Sequence, residues 1–112
     1  MLTPSAADAR KRCAVEAAVD VINGKWKVMI LYHLMLTGMQ RFNGLKRRLP
    51  GVTQRMLTKQ LRELEEEGLI TRTVYAEVPP RVEYRLTPDG EELRTAIEAL
   101  RDWGIRRGLD GG

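Results

Sequence analysis

The chain is poor in the residues that most often carry chemistry: one histidine, one cysteine and 5% aromatics among 112 residues. A lone cysteine excludes an internal disulfide and fits a reducing, cytoplasmic setting, leaving Cys13 as a free thiol or one half of an intermolecular bond. His33 and Cys13 fall on different predicted helices and supply neither a metal site nor a thiol–imidazole pair, and there is no glycine-rich phosphate loop. An enzyme is therefore not expected, and neither a cofactor nor a metal is called for. Long apolar runs are missing too. The longest stretch, Trp26 to Met39, is interrupted by Lys27, His33 and Gly38 and falls short of the roughly 20 residues that span a bilayer. Met1 to Ala9 has none of the apolar character of a secretory leader. A soluble, cytoplasmic protein with no membrane partner is the expectation.

What is present is aliphatic. With 43% apolar residues but few rings, a modest core must be built from leucine, valine, isoleucine and methionine, which favours helices and leaves room for one domain over 1–112. Charge is segregated. From Arg41 to Arg62 there are seven basic residues (Arg41, Lys46, Arg47, Arg48, Arg55, Lys59, Arg62) and no acid, whereas the remaining twelve basic residues face fifteen acids, a net of −3. A charge-balanced, solvated surface would not gather +7 in one short segment, so an electrostatic footprint for an acidic partner is indicated.

Periodicity places this segment. Val15, Ala18, Val19 and Ile22 recur at helical spacing over about 12–22, and Asn23-Gly24 stops that helix. Lys25 to Leu36 is apolar nearly all round and reads as a central buried helix, in which His33 is a satisfied or half-buried core histidine and Trp26, like Trp103 later in the chain, a core or dimer-contact residue. Arg41 to Leu49 is a third helix, closed by Pro50-Gly51. Thr53 caps a fourth, whose stripe Leu57, Leu61, Leu64 runs to about Glu67, with Gly68 as terminator. Leu69 to Tyr75 and the alternation Val82, Tyr84, Leu86 make a hairpin with its tip at Ala76 to Pro80. Thr87 and Pro88 open a last helix reaching Gly108. At ~20 residues and about 1.5 Å each it would be ~30 Å long, more than the core requires, so part of the face carrying Leu93, Ile97, Leu100 and Trp103 is left for a partner.

Two helices around a tight turn, followed by a hairpin, are the order of a winged helix-turn-helix: an α+β, mostly helical fold, with 41–67 as the helix-turn-helix and 69–87 as the wing. If the leucines of the fourth helix face inward, Gln54, Arg55, Thr58, Lys59 and Arg62 face outward as donors without carboxylates, and Glu63 to Glu67 fall at the distal end. Amides and guanidinium groups bond base edges, while Lys59, the Thr53 end with its free amides, and the basic Arg41 and Lys46 suit phosphates. Arg81 beside Pro79-Pro80 either contacts a groove or merely solubilises the hairpin tip. Double-stranded DNA is the expected partner. The rival is a winged-helix protein-interaction module that binds no DNA, since the fold alone does not require it.

Cys13, Gly24-Lys25-Trp26, Arg41-Phe42 with Leu45, Arg55-Met56-Leu57 with Leu61, Leu64 and Gly68, and Val78-Pro79-Pro80-Arg81-Val82-Glu83-Tyr84 with Leu86-Thr87 and Gly90 stand in an order and spacing similar to the HxlR-type, MarR-like winged-helix regulators of bacteria. The resemblance covers Cys13 to Trp103. It implies a homodimer on palindromic operator DNA, joined through the helices at 12–22 and 88–108, with Val15, Val19, Ile97, Leu100 and Trp103 at the interface. It also implies a cysteine that senses electrophiles or oxidants. Arg10-Lys11-Arg12 and a helix start favour the thiolate of Cys13, yet a lone cysteine is also an ordinary packing residue, and Ala14 stands where such regulators commonly carry proline. No small-molecule effector is identifiable.

Overall fold

The computed structural model describes residues 13–111. Within them the order is α1 (Ala14–Val21), α2 (Lys25–Thr37), α3 (Phe42–Arg48), α4 (Gln54–Glu66), β1 (Ile70–Tyr75), β2 (Arg81–Leu86), α5 (Pro88–Glu91) and α6 (Arg94–Arg106). This is the expected mostly helical α+β winged helix-turn-helix. Helix α2 is the hub: Ile30, Leu31, Leu34 and Met35 are buried, and around them close Leu45, Leu49, Val52, Leu57, Leu61, Leu64, Leu69, Ile70, Tyr84 and Ile97. All but one of these side chains are aliphatic, the outcome of the sparse aromatic content.

Local chemistry sets the ends of α4, the element on which the functional argument turns. The Thr53 side chain accepts a hydrogen bond from the Met56 amide at 3.0 Å, satisfying one of the donors left over at a helix start. At the other end Gly68 adopts φ 75°, and the amides of Gly68 and Leu69 return to the carbonyls of Glu65 and Leu64, each at 3.0 Å. That pair of bonds is a Schellman closure, which glycine adopts without steric cost. It turns the chain directly into β1. The strands pair antiparallel from Ile70 opposite Leu86 to Tyr75 opposite Arg81. A further bridge joins Gln40, between α2 and α3, to Tyr84, with amide–carbonyl bonds of 3.1 and 2.8 Å. The wing is thereby tied to the helix-turn-helix at its base.

The single rod anticipated over 88–108 is two helices. Thr87 caps α5 by accepting from the Gly90 amide, but Gly90 is buried so close to Leu69 that a Cβ there would overlap the Leu69 carbonyl oxygen. After this close approach the Leu93 amide bonds back only three residues, to Gly90, at 3.2 Å, and α6 restarts at Arg94. Helix α6 has 13 residues, hence about 20 Å at 1.5 Å per residue.

Candidate nucleic-acid interface

Burial divides α4 cleanly. Leu57, Leu61 and Leu64 are buried, while Gln54, Arg55, Thr58, Lys59 and Arg62 are exposed and line one shallow groove of about 810 Å³ together with Glu63 and Glu66. Five of the predicted contact residues are thus brought together on one surface. The carboxylate-free face anticipated for this helix is not fully so, because the helix turn carries Glu63 back beside Lys59 and Arg62. Glu63, however, is engaged from behind by Lys27 of α2, with Nζ 2.8 Å from Oε1. Its carboxyl is held below the usual carboxylate range, first by the hydrogen bond from Lys27 and then, against some desolvation, by the charges of Lys27, Lys59 and Arg62. Among the described residues Arg55, Lys59 and Arg62 form no ion pair.

Two polar groups on α4 are already committed. Thr53 is exposed at the helix start with its hydroxyl oxygen used as the cap, and the Thr58 hydroxyl donates to the Gln54 carbonyl at 2.8 Å. Gln60, polar yet buried, donates to the Met56 sulfur at 3.5 Å and belongs to the packed side. The start of α4, beyond the one amide that Thr53 takes, is the helix end that favours an anion.

The other predicted contacts fall on neighbouring surfaces. Arg41 lies in a groove of about 620 Å³ between the start of α3 and the wing, whose rim also carries Asn43, Arg47 and Arg81. Lys46 sits with Asn43 and Arg47 on the outer side of α3. Arg81 does not project as a free guanidinium. It stacks 4.2 Å from the Tyr75 ring centroid and reaches Glu77 at 3.3 Å and Glu83 at 3.5 Å, because a buried Glu83 on the same sheet face attracts the nearest cations. Arg85 completes that cluster at 3.1 Å from Glu83. The wing cation that forms no ion pair among the described residues is Arg72, which flanks a cleft with Arg62, Glu65, Phe42 and Tyr84. Sequence reasoning misses it, although alternation from Ile70 places it on the strand face that meets α4. In the sequence Arg47 counts only toward the basic segment, and Lys27 only as an interruption of an apolar run.

Elsewhere, Val15, Val19, Leu100 and Trp103 are exposed, whereas Ile97, assigned to the dimer contact, is only 6% exposed and packs into the chain's own core. Leu93, one turn earlier and bonded through its carbonyl to the Ile97 amide at 3.0 Å, packs against the same core. Arg12, the first residue of the predicted N-terminal helix, and Arg10 and Lys11 lie outside the described residues. Cys13 is exposed at the start of α1, where the amides of Glu16 and then Val15 lower its thiol pKa. His33 is half-buried, with Nδ1 3.3 Å from the Arg48 guanidinium, and burial, then that cation, pushes its pKa down toward the neutral form. Among the described residues no group of histidine, cysteine or acid side chains could hold a metal, and no helix is long and apolar enough to cross a membrane.

The chain is similar to known proteins in sequence and fold. The family described as HxlR-like helix-turn-helix matches residues 21–109. The HTH-type transcriptional regulator YdeP of Bacillus subtilis is 53% identical over 92 residues, which span 82% of this chain and 71% of YdeP. The redox regulator HypR in its oxidized form superposes with a TM-score of 0.79 at 49% identity, over 84% of this chain and 96% of that one. Diamide-treated YodB from B. subtilis gives a TM-score of 0.70 at 30% identity, over 87% and 96%.

Proposed function

Because the chain belongs to the HxlR-like helix-turn-helix family of transcriptional regulators, which are not enzymes, we propose that it acts as a homodimer on a palindromic operator. In this reading 1–112 is one DNA-binding domain, with 41–67 as the helix-turn-helix, 69–87 as the wing and the helices within 12–22 and 88–108 as the dimer contact. Helix α4 enters the major groove by its N-terminus. Arg55 and Gln54 read base edges, Lys59 and Arg62 hold phosphates, and Arg41 and Lys46 flank them on the backbone. The observation that carries this is the outward set on α4, which forms no ion pair among the described residues and is fixed from beneath by three buried leucines.

A dimer accounts for apolar surface that the chain leaves uncovered. Helix α1 has no fully buried side chain and meets the core only at its end, through Val21, while Val15 is 70% and Trp103 47% exposed, and so short a helix needs further packing to hold in water. A two-fold axis through α1 and α6 would cover both and set two copies of α4 about 34 Å apart, one turn of B-DNA. One experiment tests both halves: duplex binding by fluorescence anisotropy across salt, with mass by light scattering. We expect twice the 12.8 kDa chain mass and a log–log salt slope of about −0.9 per phosphate contacted. Monomer at micromolar concentration overturns the dimer, and binding indifferent to salt supports the protein-interaction alternative.

Cys13 adds a redox response to this reading. Its exposed thiol, its lowered pKa and its place next to the uncovered face of α1 all suit a reactive thiolate. With no second cysteine, the available routes are an intersubunit disulfide, a mixed disulfide with a small thiol, or alkylation. With diamide, two Cys13 thiols lose two electrons and two protons to the reagent, which becomes the hydrazine, and one S–S bond forms. Operator affinity should change on treatment and recover with dithiothreitol, and Cys13→Ser should abolish the response. A serine variant that still responds removes Cys13 from the mechanism.

A further inference from the structure

The charges on the recognition surface present a problem that the helix alone does not solve. Glu63 is one turn beyond Lys59 and next to Arg62, and a pair four residues apart on a helix is close enough to form an ion pair. A carboxylate free to swing would draw Lys59 back along the helix and away from a phosphate. The structure shows it otherwise engaged. Lys27 rises from the buried side of α2, beside Ile30 and Leu31, with a side chain only 11% exposed, and meets Glu63, 34% exposed, at 2.8 Å. Its stem lies among apolar neighbours and its head emerges at the carboxylate. An ammonium so poorly hydrated is costly without a partner. Lys27 is buried on a helix whose other buried residues are all apolar.

Resting on the DNA-binding reading above, we propose that Lys27 is a positioning residue for the recognition surface: it holds Glu63 from behind, so that Lys59, one turn earlier, stays free to meet a phosphate. The pairing joins the core helix to the DNA-facing helix, and its effect on binding is transmitted through charge rather than through packing.

The test is a charge cycle read by anisotropy on a random duplex across salt, with folding followed by circular dichroism. Lys27→Met should weaken binding about five- to tenfold near physiological salt and flatten the log–log slope by about 0.9, as the released carboxylate takes one cation away from its phosphate. Lys27→Met with Glu63→Gln should return both affinity and slope to those of the parent, which a purely structural loss of the bridge would not allow. Glu63→Gln alone should bind more tightly than the parent, and this arm decides the matter where Lys27→Met does not fold. The inference is overturned if Lys27→Met keeps the parent's slope, if the double variant stays as weak as the single, or if Glu63→Gln binds more weakly. A parent chain that binds no duplex at any salt overturns the regulator reading as well; a parent that binds as expected while Lys27→Met does likewise overturns only the role of Lys27.

Discussion

Arg55→Ala should lower affinity for an operator by about 1 to 3 kcal/mol, roughly five- to 150-fold, and relax base preference while leaving stability unaltered. Arg55 is exposed on the first turn of α4, where a helix entering by its N-terminus comes nearest the floor of the groove. It forms no ion pair with a described residue, so its guanidinium need not be released from a carboxylate before it binds. Truncation removes a bidentate guanidinium–guanine pairing completely, because alanine has no donor to substitute. The comparison that decides is specific against random duplex in the same salt. Equal losses on both would make Arg55 a phosphate ligand and shift base reading to Gln54 and Thr58.

Two positions further along, the expected result is the opposite. Leu57→Ala should destabilise the fold by about 2 to 5 kcal/mol, measured as a shift in urea midpoint at unchanged slope. Leu57 is fully buried, in contact with the core built on α2, and truncation leaves a cavity that the neighbouring leucines of α3 and α4 only partly fill. At temperatures where the variant is folded, DNA affinity should stay near that of the parent, since no donor on the outward face is touched. A variant as stable as the parent would mean that α4 is not anchored by this stripe, and the orientation of Gln54, Arg55, Thr58, Lys59 and Arg62 would lose its physical basis. Arg55 and Leu57 together therefore separate the two jobs of one helix.

The outward and inward sides of α4 are legible in the sequence because both depend on spacing within one continuous helix. Leu57, Leu61 and Leu64 mark the buried stripe, and Thr53 and Gly68 mark the ends by chemistry that acts over three or four residues. The same locality makes the wing and the central helix α2 readable. Where the reading fails, the cause lies in contacts that periodicity does not carry, distant in sequence for the last helix and across the hairpin for Arg81. Nothing near Gly90 announces that the Leu69 carbonyl occupies the place of its side chain, so periodicity draws the last helix as one piece and gives Ile97 to a partner rather than to the core. Arg81 looks free beside two prolines until Tyr75 and Glu83, on the facing strand and in its own, close around it.

By itself, then, the order of residues determined the wing and the helices as far as α4, which side of each is apolar and where the positive charge gathers, since these follow from short-range periodicity, capping and composition; the regulator family rested instead on a resemblance of motifs in their order and spacing. Tertiary structure alone decided which cations are free. Arg72, beside Arg62, forms no ion pair among the described residues, Arg81 is clamped by Glu77 and Glu83, and Glu63 is claimed by Lys27 from another helix. The physical reason is that an ion pair depends on distances of about 4 Å between side chains, and only the folded chain brings Lys27 and Glu63, 36 residues apart, within that reach.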